Sequence, residues 1–286
     1  MTKFLSEKEG ITIDNFSFFY KKLIQFDQIK TKELFYNSKE IAQLKIIENA
    51  LQIDTFVQMQ KRLEERNLPK GMAILLHGLP GTGKTETVYQ LAKQTQRNIY
   101  KVDISETKSM WFGESQKLIK KVFNDYHQMM KTESDCPILL FNEADGIISK
   151  RKELGNSNTA ETENAIQNII LEEMENFEGI LFATTNLVKN MDAAFERRFL
   201  FKVQFDQPSL ENAAKIWKNK LPFLTDDEAR RLAERFPFSG GEIENITRKC
   251  VMNDLLTGSE IRFQQVVEFC KQEKWTDKKN VNKIGF

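Results

Sequence analysis

"MAILLHGLPGTGKT", residues 72 to 85, runs from a short apolar stretch into a glycine-punctuated loop that closes on Lys84 and Thr85. Gly78, Leu79, Pro80, Gly81, Thr82, Gly83, Lys84 and Thr85 match GxxxxGK[ST] in full. Glycines in such a loop let the backbone curl until its amides face phosphate oxygens. The lysine reaches the terminal phosphates, and the hydroxyl offers itself to magnesium. The context suits this chemistry, because an apolar strand leads in and a helical pattern opens at about Lys84, adding the positive end of its dipole. A glycine-rich turn without function would not require that order.

Outward from the loop, apolar runs alternate with helical stretches. Strands are predicted at 72–77, at "IYKVDI" (99–104), "PILLF" (137–141), "ILFATT" (180–185) and "FLFKVQF" (199–205), with helices at about 84–96, 114–131 and 161–177. Short strands apolar on both faces and separated by helices imply a parallel sheet covered on both sides. The expectation is an α/β domain over 71–206, built on a five-stranded parallel sheet. After Pro208 the pattern becomes helical. Thr225 with Glu228 and Ser239 with Glu242 have capping-box spacing, and Phe263, Val266, Val267 and Cys270 form the stripe of a last helix. A small helical domain is expected over 207–273, with 274–286 a loose tail. In the N-terminal segment, 1–70, "FSFFYKKLIQF" suits a strand or a helix, whereas apolar steps from Ser38 to about Arg66 argue one or two amphipathic helices. This segment carries no nameable motif.

Composition narrows the class. The 286 residues are 40% hydrophobic and 29% charged, and 42 Lys plus Arg nearly balance 41 Asp plus Glu. No overall field draws the chain to nucleic acid or an anionic membrane. Apolar runs are too short for a bilayer and the first thirty residues lack a signal-peptide pattern, so a cytoplasmic location is expected. Cys136, Cys250 and Cys270 are odd in number and widely spaced, with only His77 and His127 to assist them. They read as small apolar residues rather than a disulfide framework or zinc site.

The order of further motifs resembles the AAA family of ring-forming ATPases over roughly residues 71–270. "KSMWFGESQKLIKKVF" (108–123) looks like that family's first pore loop, with Trp111, Phe112 and Gly113 as the substrate-gripping residues. "ILLFNEADGI" (138–147) is similar to the Walker B strand, and "FATTNL" puts Asn186 in the place of the sensor asparagine. "MDAAFERRF" resembles the arginine-finger segment and "FSGGEIENITRKC" the start of the lid helix. The resemblance implies that ATP and magnesium bind at Gly78 to Glu86, with Gly241 contributing from the lid. It makes Glu143 the residue that polarises the attacking water, with Asn186 holding that water or a γ-phosphate oxygen. Arg197 or Arg198 would reach the nucleotide of a neighbouring subunit, worth about 10³ to 10⁵ in rate in other phosphoryl-transfer enzymes. Such a role requires an oligomer, a hexameric ring by resemblance.

Three departures stand out. Arg197 and Arg198 are adjacent, so either fits the finger. Gly240 and Gly241 occupy the place of a sensor arginine, the nearest candidate being Arg248. Asn142 stands where the family has an aspartate near magnesium; its amide keeps a carbonyl acceptor but loses a charge, which weakens metal binding. Thr85 and Asn142 are the expected metal-side residues, the latter through water. The leading expectation is ATP-driven remodelling or translocation of a protein substrate. The alternatives are the ATPase of a nucleic-acid or mobile-element machine, and a nucleotide-gated scaffold with impaired hydrolysis.

Overall fold

The computed structural model describes residues 23–103, 115–132, 135–151, 158–187 and 191–273. Six strands form one sheet in the order β1-β3-β4-β5-β2-β6, where β1 is Leu23–Ile24, β2 Met72–Gly78, β3 Ile99–Asp103, β4 Ile138–Asn142, β5 Ile180–Thr185 and β6 Phe201–Phe205. The last five are the predicted strands, and all pair in parallel. The expected strand count needs correction. A sixth strand, β1, lies antiparallel on β3 through Leu23 opposite Tyr100 and Ile24 opposite Ile99. Two residues are too few to show a period, and this strand exists because β3 offers an open edge.

The helices, in chain order, are α1 (Ser38–Leu51), α2 (Ile53–Glu65), α3 (Lys84–Gln94), α4 (Ser115–Thr132), α5 (Asp145–Ile148), α6 (Asn158–Glu175), α7 (Ala193–Arg198), α8 (Leu210–Lys220), α9 (Asp226–Arg235), α10 (Gly240–Thr257) and α11 (Phe263–Glu273). Every residue of β4 and β5 is buried, as strands covered on both faces require. Edge strand β6 buries only Val203 and Phe205. Phe123, Tyr126, Phe141, Phe177, Leu181 and Phe195 belong to the core against one face. The crossover from β2 to β3 skips over β5 and β4, so α3 packs against both. The first turn of α3 therefore meets the carboxyl ends of strands remote in sequence, which is where open α/β sheets bind ligands.

Residues Glu40–Gly78 and Lys84–Phe205 form one compact unit with β1; Glu33–Lys39, Leu79–Gly83 and the helices after Asp206 form a second. The second unit buries Trp217, Leu232, Phe236, Ile246 and Val266, together with Cys250 and Cys270. Both predicted capping boxes close. Thr225 and Glu228 start α9, Ser239 and Glu242 start α10, and each box satisfies two otherwise unpaired amides. No described helix is long and apolar enough to cross a membrane.

Candidate active site

Lys84 and Thr85 begin α3. The Lys84 ammonium is buried and donates to the carbonyl of Gly78 at 2.9 Å and to Asn186 Oδ1 at 3.0 Å. Loss of hydration lowers its pKa from 10.5 to about 8, against the opposing pull of the Asp145 carboxylate. Asp145 also fixes Asn186: its Oδ1 accepts the Asn186 amide at 2.9 Å and the Thr185 hydroxyl, while Thr185 Oγ1 accepts from Leu187 N at 3.0 Å. The end of β5 is thus held by a carboxylate from the segment after β4. Asp145 lay inside the Walker B stretch but has no role in the motif, so sequence reading missed it.

Thr85 Oγ1 donates to Asn142 Oδ1 at 2.7 Å. The same carbonyl oxygen accepts from Thr184 Oγ1 at 3.1 Å, and Asn142 Nδ2 donates to Asp103 Oδ1 at 2.8 Å. Asn142 is consequently well satisfied although buried. Glu143, next in the chain, is exposed and adopts φ 53°, a left-handed backbone uncommon for a non-glycine residue. Flanking bonds hold it there: Glu143 N donates to Thr184 Oγ1 at 3.1 Å and Ala144 N to the Thr184 carbonyl at 2.8 Å. The chain thereby turns sharply off β4 and leaves the Glu143 carboxylate at the surface. Thr184 and Asp103 are further residues that the motifs did not reveal. Their signal lies in strand register, which places them beside Asn142 without any local pattern.

At the end of β2, Gly78 pairs with Phe205, and a Cβ there would lie 2.0 Å from the Phe205 carbonyl oxygen. No side chain fits. In the second unit the loop residues meet the start of α10: Gly241 N donates to the Gly81 carbonyl at 2.8 Å, and a Cβ on Gly241 would lie 2.9 Å from Gly81 Cα. Gly240 and Gly241, expected at the place of a sensor arginine, open α10, and Gly241 makes a backbone contact that needs glycine, while Arg248 is exposed further along α10. Leu79 and Pro80 are exposed, and Thr82 Oγ1 donates to the Leu79 carbonyl at 2.8 Å. Glu86 pairs with Lys32 at 2.7 Å and accepts from Gln90 at 2.9 Å, tying α3 to the chain after β1.

The adjacent arginines differ. Arg198 Nη2 meets Glu175 Oε1 at 2.6 Å and is half-buried, whereas Arg197 is exposed with its Nε toward the Ala193 carbonyl at 3.4 Å. Trp111, Phe112 and Gly113 lie outside the described residues. No group of three His, Cys, Asp or Glu side chains that could cage a metal occurs among the described residues. The corner at Thr85 and Asn142 offers neutral oxygens only. That set fits a hard cation that brings phosphate and water as most of its ligands, and not one needing a protein cage.

The family model described as "ATPase family associated with various cellular activities (AAA)" matches residues 74–207, which span β2, α3 and the strand ends just described. Residues 74–207 belong to the AAA family. Protein CdcH of Halobacterium salinarum is 32% identical over 192 residues, covering 64% of this chain and 25% of that protein. The proteasome-activating nucleotidase of Aeropyrum pernix is 30% identical over 205 residues, covering 68% of this chain and 48% of that protein. The chain thus spans between a quarter and about half of these relatives. The crystal structure of the FIGL-1 AAA domain superposes with a TM-score of 0.68 at 17% identity, over 95% of this chain and 92% of that one, which establishes the AAA fold.

Proposed function

We propose that this chain binds ATP with magnesium and hydrolyses it, using the energy to remodel or translocate a protein substrate within an oligomeric ring. The observation that carries the reading is the convergence of the first turn of α3 on two strand ends, Lys84 on Asn186 and Thr85 on Asn142. In this reading Gly78 to Glu86 wrap the phosphates, and the Lys84 ammonium exchanges its present acceptors for phosphate oxygens. Glu143 polarises a water, and Asn186, held by Asp145, orients that water or a γ-phosphate oxygen. Magnesium, when bound beside Thr85, would neutralise charge on the transferring phosphate. Gly241 contributes a backbone contact to the loop.

The finger role falls to Arg197 rather than Arg198. Arg198 is committed to Glu175 within its own unit, whereas Arg197 is exposed. A finger serving another copy's nucleotide demands assembly. The name of the proteasome-activating nucleotidase, and the aromatic pore-loop sequence, favour a polypeptide as the substrate.

The test is magnesium-dependent ATP hydrolysis over a protein concentration series, with Glu143→Gln alongside. Turnover per chain that rises with concentration and vanishes in Glu143→Gln supports the reading. ATP binding without turnover at any concentration would make the chain a nucleotide-gated scaffold. Strong stimulation by DNA would move the substrate to nucleic acid.

A further inference from the structure

At the carboxyl edge of the sheet, the parallel register of β3 and β4 sets Asp103 opposite Asn142. Asp103 divides its two oxygens: Oδ1 accepts from Asn142 Nδ2 at 2.8 Å, and Oδ2 pairs with the Lys101 ammonium at 2.8 Å. A carboxylate can only accept, so the side of the Asn142 amide that faces Asp103 must be its NH₂. An asparagine amide is nearly symmetric in shape, and its orientation is settled by such partners. The Asn142 carbonyl is left with one direction, toward the hydroxyls of Thr85 and Thr184. Thr85 is the residue that the phosphate motif offers to magnesium.

We propose that Asp103 is a positioning residue of the magnesium site. It locks the Asn142 carbonyl toward Thr85 from the neighbouring strand, while its own carboxylate oxygens stay engaged by Asn142 and Lys101. The inference rests on the nucleotide-site reading above and adds a residue that lies outside every motif. It also reverses the simple expectation for repairing Asn142. With Asp103 in place, Asn142→Asp sets two carboxylate oxygens at a separation now spanned by a hydrogen bond, and like charges there oppose each other. Exchanging the two residues keeps each hydrogen bond named above, although the Lys101 ion pair becomes a bond to a neutral oxygen. An amide at 103 donates to a carboxylate at 142, Lys101 keeps an oxygen acceptor, and so do Thr85 and Thr184.

The test measures the affinity of the full chain for a fluorescent ATP analogue, in EDTA and in magnesium. It uses the starting protein, Asp103→Asn, Asn142→Asp and the double exchange. The ratio of the two dissociation constants isolates the metal's contribution. A merely structural role for Asp103 would move thermal stability and leave that ratio alone. Each single substitution is expected to lower the ratio about tenfold, as loss of a group that orients a metal ligand usually does. The double exchange should return it to within about threefold of the starting value, a non-additivity diagnostic of a coupled pair. The inference is overturned if Asn142→Asp alone matches the double exchange, or if the two single effects simply add. Should Asn142→Asp fail to fold, Asp103→Asn against the double exchange decides: recovery of the ratio supports the pair, and no recovery removes it. Failure of all four proteins to bind the analogue in either buffer overturns the nucleotide reading and this inference together. Binding with one common ratio overturns this inference alone.

Discussion

The two ends of the sheet in the first unit are both rich in polar side chains, and they use them differently. At the amino ends of the strands, buried Arg97 donates to the carbonyl of Leu51 at 2.8 Å and that of Cys136 at 2.6 Å, with its guanidinium 5.0 Å from the Phe56 ring centroid. Tyr126 donates to the Pro137 carbonyl at 2.7 Å and accepts from Ile180 N at 3.0 Å. Burial pushes the Tyr126 hydroxyl far above its usual range, so it stays a neutral donor and acceptor. These partners are backbone groups, which cannot be exchanged without moving a strand or helix end. At the carboxyl ends, Lys84, Thr85, Asn142, Thr184 and Asn186 bond largely to one another's side chains. Such bonds can be traded for water or phosphate oxygens while the strands stay still. One end fixes the fold, and the other is free to do chemistry on it.

Substitutions at the two ends should separate stability from function. The largest effect is expected for Glu143→Gln, which should lower ATP turnover by about 10² to 10⁴ with little change in unfolding temperature, because the side chain is exposed. A loss under tenfold would remove Glu143 from the role of base. Arg97→Leu should cost about 2–3 kcal/mol in urea unfolding, because it strands two carbonyls, while ATP affinity of the folded protein holds. If affinity fell in step with stability, the two ends would be coupled and the contrast wrong. Tyr126→Phe should cost about 1–2 kcal/mol through the Ile180 amide and Pro137 carbonyl, again without a change in turnover.

The smallest effect concerns pH. The Lys84 pKa is about 8 in the nucleotide-free protein and must rise when phosphate arrives. ATP affinity should therefore be full below that value and weaken above it by up to about tenfold per pH unit. Since the unfolded lysine titrates near 10.5, the nucleotide-free protein should gain stability as pH rises from about 8 toward that value. Titration calorimetry across pH 7 to 9.5, with ATP affinity tightening as pH rises, would show that Lys84 does not meet phosphate.

The sheet was legible wherever a signal was local or repeated. β5 was read at its observed bounds because all six of its residues are buried, and the capping boxes because hydroxyl and carboxylate stand three residues apart. The phosphate loop carried its own chemistry in eight consecutive residues. What escaped depends on register and crossover. Asp103 and Asn142 are 39 residues apart, and nothing in either stretch announces the other. Arg97 belongs to no motif, and its burial follows from where α1 ends. The two-residue β1 borrows its structure from β3. The surroundings of the two adjacent arginines differ through Glu175, which lies on another helix.

The Thr184 hydroxyl has one proton, given to Asn142, and it accepts the Glu143 amide on a lone pair. One hydroxyl thereby pins two successive residues at the end of β4, the side chain of the first and the backbone of the second. A valine in its place has nearly the same volume but can neither donate nor accept, so Thr184→Val would leave the Asn142 carbonyl and the Glu143 amide each one hydrogen bond short.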